Sequence, residues 1–504
     1  MKKLAWVVGA LIALLFTFNS THQFIECATP KSPSIYRQIS SSPSPQNAIH
    51  RCIIALTSAA HPIDFRPTSA KLDQWLEADI SDMKRLLKEQ DVAPSSLRRV
   101  SRIERVRNEI FFSLIKNLNG FIARNSRNGF VNALAEIVNK IEKSPFNIFV
   151  KGSAFARIKN LLDNPSILQE NGGRDLRKFS EFQTQFDRDL AADKEQYGEA
   201  FFDKETVAQG AINSFAIKLF AFLNGNKSPH DRLSANAISL LHPIVDAAMD
   251  KGLMGKKTFE KLDRFLSDGE RPHIEGHYEK LLFGYLYRFE SVFPRNSVPG
   301  FWLAIKRLFD SQVESLKQIS GEYSSEFYYR LALDKGGLST VLAAYTALGP
   351  LTERQFAFFY RSGGIFQVID DLLDIRKDLG EGVTTTWTNA IRNRESFGPP
   401  MRHLFALEKG FESRLNELSQ DFDNPGAFQN VYLFSFKLSI LRAIARQKEY
   451  IDSEVKELIR GRLSLSLASL NQLMSGQVIK QDVELSSDPD LAFLKRLVED
   501  TEEY

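Results

Sequence analysis

Residues 363–378 read Gly-Gly-Ile-Phe-Gln-Val-Ile-Asp-Asp-Leu-Leu-Asp-Ile-Arg-Lys-Asp, and this stretch decides the fold of the chain. On a helix at 100° per residue, its apolar side chains cover most of the circumference. A stripe about 100° wide collects the polar ones, Gln367, Asp370, Asp371, Asp374 and Asp378. Buried carboxylates are rare unless they are paired or bind a metal, so we predict that the four aspartates, here called the acidic seam, line an internal cavity that holds cations.

A second group of carboxylates lies upstream, at Asp246 and Asp250. Their i,i+4 spacing projects both side chains from one helix face, which Arg232 and His242 share. We call these two aspartates the acidic pair. Ordinary solvated carboxylates are an open alternative for the pair alone. The pair and the seam are separated by 124 residues, enough for four to five helices, so we predict that they form opposite walls of one cavity.

Two facing carboxylate walls suit Mg²⁺. This ion takes oxygen ligands in an octahedron, keeps several waters and typically bridges one or two carboxylates to substrate phosphates. Such ions can neutralise a diphosphate and let it leave as an anion, which generates a carbocation within an apolar cavity. The sequence therefore predicts Mg²⁺ as cofactor.

Two motifs resemble a known family. The pattern Gly364-x-Phe366-Gln367-x-x-Asp370-Asp371-x-x-Asp374 resembles the second aspartate-rich motif of the trans-isoprenyl diphosphate synthases, in the class I isoprenoid synthase superfamily. Residues 334–337, Asp-Lys-Gly-Gly, are similar to the Lys-bearing helix break upstream of that motif. The resemblance covers roughly residues 190–475 and is specific mainly at these two places.

The resemblance implies a role for individual residues. It implies that Asp370, Asp371 and Asp374 are catalytic and bind Mg²⁺, with Asp246 and Asp250 as the opposite metal wall. It implies that Gln367 seats an allylic substrate and that Lys335 touches its diphosphate, although Lys335 also suits an ordinary helix C-terminus. Further candidates are the cations Arg232 and Lys251 for the diphosphate, and Leu241, His242 and Phe366 for the pocket.

The sequence departs from the family pattern in two places. The first motif is Asp-x-x-x-Asp, with no adjacent Asp pair and no Arg-Arg after it, and Gly380-Glu381-Gly382 replaces the Gly-Lys that follows the second motif. An Asp-x-x-x-Asp motif is nearer to squalene synthase-like enzymes and to the large bacterial terpene synthases. The resemblance as a whole implies ionisation of allylic isoprenoid diphosphates, for prenyl transfer or chain condensation. The alternatives are a terpene synthase or cyclase, and a non-catalytic membrane-associated protein that keeps the fold.

The composition of the chain bounds its partners. The 504 residues carry a net charge of +3, which gives no overall attraction to nucleic acid, and we expect no nucleic-acid partner. Arginines cluster over residues 98–107, where we expect a solvated helix face, with a phospholipid-facing patch as the alternative. Cys27 and Cys52 are too few for a zinc site or a disulfide framework. A homodimer remains open.

The chain divides into five segments by composition. Residues 1–20 form a hydrophobic signal or membrane anchor, which predicts a membrane-associated or exported protein, and residues 21–64 form a Ser/Pro-rich linker. We predict an additional N-terminal helical region over residues 65–172 and an acidic tail over residues 477–504. The resemblance implies an isoprenoid synthase-like domain over residues 173–476. Helical periodicity without sustained alternation predicts an all-α protein, a large helical bundle. The predicted helices lie near residues 195–225, 229–251, 256–268, 274–292, 300–319, 324–348, 351–379, 398–423, 426–449 and 453–474. The resemblance implies that this bundle is of the class I isoprenoid synthase type.

Overall fold

The computed structural model describes residues 64–88, 92, 97–102, 105, 109, 173–225, 229–250, 254–320 and 323–474. The predictions for the hydrophobic N-terminus, for nearly all of the linker, for most of residues 89–172 and for the acidic tail lie outside the described residues.

The described part of the chain is all helical and contains no strand, which confirms the all-α prediction. Short 3₁₀ helices lie at Glu199–Phe201 and Lys448–Tyr450. In chain order the helices are α1 (Ser69–Lys88), α2 (Gly173–Tyr197), α3 (Lys204–Leu223), α4 (Arg232–Asp250), α5 (Lys256–Asp268), α6 (Gly276–Val292), α7 (Pro299–Ser315), α8 (Lys317–Ser320), α9 (Ser325–Leu348), α10 (Glu353–Leu373), α11 (Ile375–Glu381), α12 (Thr386–Arg392), α13 (Gly398–Leu418), α14 (Pro425–Arg446), α15 (Ser453–Leu458) and α16 (Leu467–Met474).

Helices α9 and α10 pack at very short range through glycines. A Cβ atom added to Gly336 of α9 would lie 2.6 Å from the Gly363 carbonyl of α10, and one added to Gly364 would lie 2.7 Å from the Leu333 carbonyl. The contacts pair earlier residues of α9 with later residues of α10, so the two helices are antiparallel. Only glycine permits this approach, and the Gly-Gly pairs in both motifs have this structural cause.

The helix break predicted around Lys335 is wrong. Helix α9 runs without interruption from Ser325 to Leu348. Gly336 and Gly337 are buried within it, where intrahelical hydrogen bonds and the contact with α10 offset the low helix propensity of glycine. The glycines therefore serve helix packing at this position, and the helix does not end there.

Helix α9 lies at the centre of the bundle and packs against α3, α4, α7 and α10. The start of α4 meets the end of α9, because the His230 and Asp231 N–H groups donate to the Ala347 and Thr346 carbonyls at 2.9 and 3.3 Å. Helix α4 thus runs antiparallel to α9, as α10 does. The C-terminal ends of α4 and α10 consequently point toward the same end of α9, its N-terminus.

Helix α1, from the predicted N-terminal region, packs into this bundle. The Phe65 N–H donates to the Leu351 carbonyl at 2.8 Å, and the Trp75 ring lies 6.0 Å from that of Phe356. Farther along α1, the Asp79 carboxylate pairs with Arg361 of α10 at 3.0 Å and with Arg414 of α13 at 2.7 Å. Residues 64–88 therefore belong to the same packed unit as α9 and α10.

Helix α3 is the one described helix that is long and apolar enough to cross a bilayer, by the composition of residues Thr206–Leu223. Half of that window is buried within the bundle. Polar side chains tie the helix to α4: Asn213 Nδ2 donates to the Ser239 carbonyl at 3.1 Å, and Ser214 Oγ donates to Asn236 Oδ1 at 2.9 Å. These contacts are those of a core helix.

Candidate active site

The acidic seam lies where α10 ends and α11 begins. A capping box at Thr352 and Gln355 starts α10, and the apolar run carries it through to Leu373. Asp374 then leaves the helix with φ −99° and ψ 2°, while its N–H still donates to the Asp370 carbonyl at 2.9 Å. The continuous helix predicted over residues 351–379 is therefore interrupted at Asp374.

Burial and mutual repulsion dominate the electrostatics of the seam. Gln367 Nε2 donates a hydrogen bond to Asp371 Oδ1 at 2.9 Å. Burial of Asp371 raises the pKa of its carboxyl well above the ordinary value, and the negative charges of Asp378, Asp370 and Asp374 add to that increase. The hydrogen bond from Gln367 opposes it only in part. The seam is thus a place where a bound cation would relieve a large electrostatic cost.

Arg442 of α14 is the seam residue that the sequence analysis missed. Its side chain is buried, and burial together with the charge of Arg446 lowers the pKa of its guanidinium to about 10. The charges of Asp370 and Asp374 act in the opposite direction, which shows that Arg442 lies near both. The signal in the sequence was a lone arginine within the apolar run of residues 440–445, since a buried cation needs acidic neighbours.

Two buried aromatic residues, Tyr329 and Trp387, lie beside the helix that carries the seam. The Tyr329 hydroxyl donates to the Pro400 carbonyl at 3.1 Å, and Trp387 Nε1 donates to the Val368 carbonyl at 2.9 Å. Burial raises the pKa of Tyr329, and the charge of Asp371 raises it further, so the phenol lies close to that carboxylate. Helix α12, which carries Trp387 and was absent from the predicted helices, is held against α10 by this contact.

Lys335 lies on α9 beside the seam helix. Its neighbour Gly336 touches Gln367 so closely that a Cβ atom would collide with the glutamine side chain. Lys335 is partly buried and forms no hydrogen bond or ion pair with any described residue. The other neighbour, Asp334, accepts hydrogen bonds from Arg307 Nε at 2.9 Å and from Tyr360 Oη at 2.5 Å, which fixes the backbone next to Lys335.

The acidic pair is described at the level of the backbone only. Helix α4 extends to Asp250, while the side chains of Asp246 and Asp250 and the whole of Lys251 lie outside the described residues. Because α4 packs against α9 and begins at the C-terminal end of α9, residue 246 lies toward the N-terminal half of α9, the half that also carries Tyr329.

Arg232 lies at the opposite end of α4 from the acidic pair. It begins α4, about 21 Å along the helix from residue 246, and its guanidinium pairs with Asp189 of α2. The neighbouring Asn236 donates to the same carboxylate. The structure therefore assigns Arg232 to the contact between α2 and α4, and it does not bring this residue to the seam.

The predicted pocket residues lie on two different contacts. The Phe366 ring lies 4.3 Å from the Phe436 ring and 5.8 Å from the Tyr432 ring, so it packs α10 against α14. Leu241 is partly buried against the core, and His242 is partly buried on the same helix. Phe366 thus supports the position of the seam helix, whereas Leu241 and His242 remain candidates for the α4 side.

The donor set of the seam is entirely carboxylate oxygen, which suits Mg²⁺. Among the residues that the structure describes, however, no three His, Cys, Asp or Glu side chains are grouped closely enough to hold a metal ion. Asp370, Asp371 and Asp374 come from a single helix end, so a complete site needs oxygen ligands from another element or from a substrate. The ligands predicted for the other wall are the carboxylates of Asp246 and Asp250 on α4, whose side chains lie outside the described residues.

Comparison with models of known protein families gives no match, and a search of curated proteins finds no similar sequence. The functional assignment therefore depends on the residues of the site itself.

Proposed function

We propose that this protein is a Mg²⁺-dependent isoprenoid synthase that ionises allylic prenyl diphosphates. The observation that carries the proposal is the acidic seam, partly buried at Asp370, Asp371 and Asp374 and buried at Asp378, in which three neighbouring carboxylates add to the increase in the pKa of Asp371 that burial causes. Such an arrangement is costly without a cation and is stabilised by one. The packing of α4 along α9, which carries residue 246 toward the N-terminal half of α9, supports a second carboxylate wall at the same end of the bundle.

In this proposal each side chain has a distinct task. Asp370 and Asp374 bind the cation, and Gln367 holds the Asp371 carboxylate in place through its 2.9 Å hydrogen bond. Mg²⁺, when bound, supplies the positive charge that allows diphosphate to leave. Lys335 adds a cationic donor for the departing group, and the apolar side chains around the seam exclude water from the carbocation.

The best single reaction is prenyl transfer or chain condensation. A terpene synthase or cyclase would use the same ionisation, and the two differ in what attacks the carbocation. Incubation of the protein with farnesyl and geranylgeranyl diphosphate, followed by analysis of the products, separates them: a second prenyl unit in the product indicates condensation, whereas a hydrocarbon or alcohol of unchanged carbon number indicates the lyase.

Arg442 favours a second candidate function, a non-catalytic protein that keeps the fold. A buried guanidinium beside Asp370 and Asp374 already supplies part of the counter-charge that a metal would provide. In that case the seam and Arg442 form a structural ion cluster and no metal is needed. The membrane-associated interaction module considered from the sequence belongs to this alternative.

The test uses the full chain with Mg²⁺, with a bisphosphonate, and with both. A ligand that binds only the native state raises the melting temperature by mass action, so we expect a clear increase with the pair of ligands. Diphosphate release from farnesyl diphosphate is measured in parallel. The absence of both the thermal shift and the release in the wild-type protein would reject the enzymatic proposal in favour of the structural ion cluster.

A further inference from the structure

Exposed apolar side chains are concentrated in one short part of the structure. Of the six exposed large hydrophobic residues in the described part of the chain, four lie within residues 313–323. They are Val313, Leu316, Ile319 and Tyr323, here called the apolar ridge, and Ile319 is the most exposed at 63%. Single exposed apolar residues are common on proteins, but a cluster of this kind marks an interaction surface.

The backbone aligns these side chains along one line. At the end of α7 the Leu316 N–H donates to the Val313 carbonyl, and the Ile319 N–H donates to the Leu316 carbonyl, each at 3.2 Å. In such i→i+3 turns the side chains three residues apart stand one above the other. The Tyr323 ring stacks on Phe327 at 4.5 Å. Lys317 Nζ lies 5.9 Å from the Phe327 ring and pairs with Glu314 at 3.1 Å.

The ridge borders the end of the bundle that carries the acidic seam. Gln318, between Leu316 and Ile319, exchanges two hydrogen bonds of 2.9 Å with the Thr384 backbone. Thr384 follows α11 and lies six residues after Asp378. The ridge therefore lies next to the loop that leaves the seam.

We propose that the apolar ridge docks on the surface of a phospholipid bilayer. The ridge combines aliphatic side chains with a tyrosine and a nearby lysine, the residue types that settle at a membrane interface. The chain also carries its own hydrophobic segment, Leu4–Phe18, which would hold the bundle close to a membrane. This docking does not depend on the enzymatic function proposed above, because it follows from the exposed residues alone.

The length of the connecting chain permits this arrangement. Asp64 accepts a hydrogen bond from the Gly300 N–H at the start of α7, and the ridge begins about 20 Å away at the other end of that helix. Between Phe18 and Asp64 lie 45 residues, which can span at most roughly 150 Å. The hydrophobic segment and the ridge can therefore reach the same bilayer.

The experiment places a nitroxide spin label on Ile319→Cys in the full chain, with Cys27→Ser and Cys52→Ser removing the native thiols. Leu233→Cys, an exposed apolar position at the start of α4, is the matched control. With phosphatidylcholine vesicles, we expect the label at position 319 to become several-fold more accessible to oxygen relative to a water-soluble nickel complex. The label at position 233 should keep the ratio measured in water.

Three outcomes would overturn the proposal. The first is a label at position 319 that keeps the same accessibility ratio as the control. The second is failure of the protein to float with the vesicles. The third is spin–spin broadening at position 319 that grows with protein concentration in the absence of vesicles, which would make the ridge an interface between two copies of the chain.

Discussion

Gln367 Nε2 donates a hydrogen bond to Asp371 Oδ1 at 2.9 Å from one turn earlier on α10. This bond orients a carboxylate whose own environment disfavours its charge, because Asp378, Asp370 and Asp374 are close and the group is removed from water. The amide fixes the position of the oxygen without neutralising it. In the proposed function this oxygen is a preorganised acceptor for a cation.

We expect Asp371→Asn to keep or raise the free energy of unfolding while it lowers diphosphate release by about two orders of magnitude or more. The asparagine carbonyl can still accept the hydrogen bond from Gln367. The substitution removes one negative charge from a cluster of like charges. Urea unfolding and a diphosphate-release assay measure the two effects.

The matched control is Asp334→Asn, the same change at a carboxylate that Arg307 and Tyr360 engage directly. Removal of one partner from that buried pair should cost roughly 3–5 kcal/mol. If Asp371→Asn is as destabilising as Asp334→Asn and activity persists, Asp371 is a structural residue and the proposed role is wrong.

We expect Arg442→Gln to enlarge the increase in melting temperature caused by Mg²⁺. The substitution removes a buried cation beside Asp370 and Asp374, and with it the attraction that opposes their mutual repulsion. A divalent ion can then replace the missing charge. Thermal unfolding of both proteins with and without Mg²⁺ measures the difference between the two shifts.

The control for this prediction is Arg446→Gln, which removes a partly buried arginine one turn away on α14. It should change the Mg²⁺ response little. An Arg442→Gln protein that does not respond to Mg²⁺ would favour the structural ion cluster over the metal site.

Helical periodicity predicted the all-α class correctly. The predicted helix at residues 256–268 matches α5, and the seam was found because carboxylates interrupted an apolar pattern. The interruption at Asp374 was not predicted, since Ile375 continues the apolar pattern while the dihedral angles of Asp374 leave the helical region. The pattern reports which side chains are buried, and it does not report where a helix is interrupted.

Contacts between distant parts of the chain could not be predicted from the sequence. Gly336 and Gly337 were interpreted as a helix break because glycine has low helix propensity, but α10 packs against them. Arg442 reaches the seam from 72 residues downstream of Asp370, and no local spacing links the two. The docking of α1 through Asp79 is likewise visible only in three dimensions.

We expect Lys218→Met to raise the free energy of unfolding at pH 7 by up to roughly 3 kcal/mol. Burial lowers the pKa of Lys218 to about 8 from its ordinary value of 10.5, the charge of Asp189 opposes that change, and the charge of Arg232 adds to it. Below pH 8 the lysine is charged in both the folded and unfolded states, so the folded protein carries the full cost of burying the charge.

The advantage of Lys218→Met should therefore shrink as the pH rises from about 8 to 10.5, where the wild-type lysine becomes neutral in both states. Urea unfolding at several pH values measures the difference between the two proteins. The same substitution at the exposed Lys257 reports the effect of losing one charge. A difference that stays constant or grows with pH would show that the buried amine is not the cause.

Gly363→Ala should lower the free energy of unfolding by roughly 1–3 kcal/mol through overpacking. Its Cβ atom would lie 2.5 Å from the Gly336 carbonyl and would also collide with Thr340, so α9 and α10 must separate. Because Gly336 also touches Gln367, that separation would move the amide that orients Asp371, and diphosphate release should fall as well.

Gly380→Ala provides the control, since nothing lies within 4 Å of its added Cβ and alanine favours a helix by roughly 0.5–1 kcal/mol. Adding Thr340→Ala to Gly363→Ala should restore only part of the lost stability, because the collision with the Gly336 backbone remains. Equal stability of Gly363→Ala and Gly380→Ala in urea unfolding would show that α9 and α10 can separate freely, and the packing that positions the seam would then be looser than these contacts require.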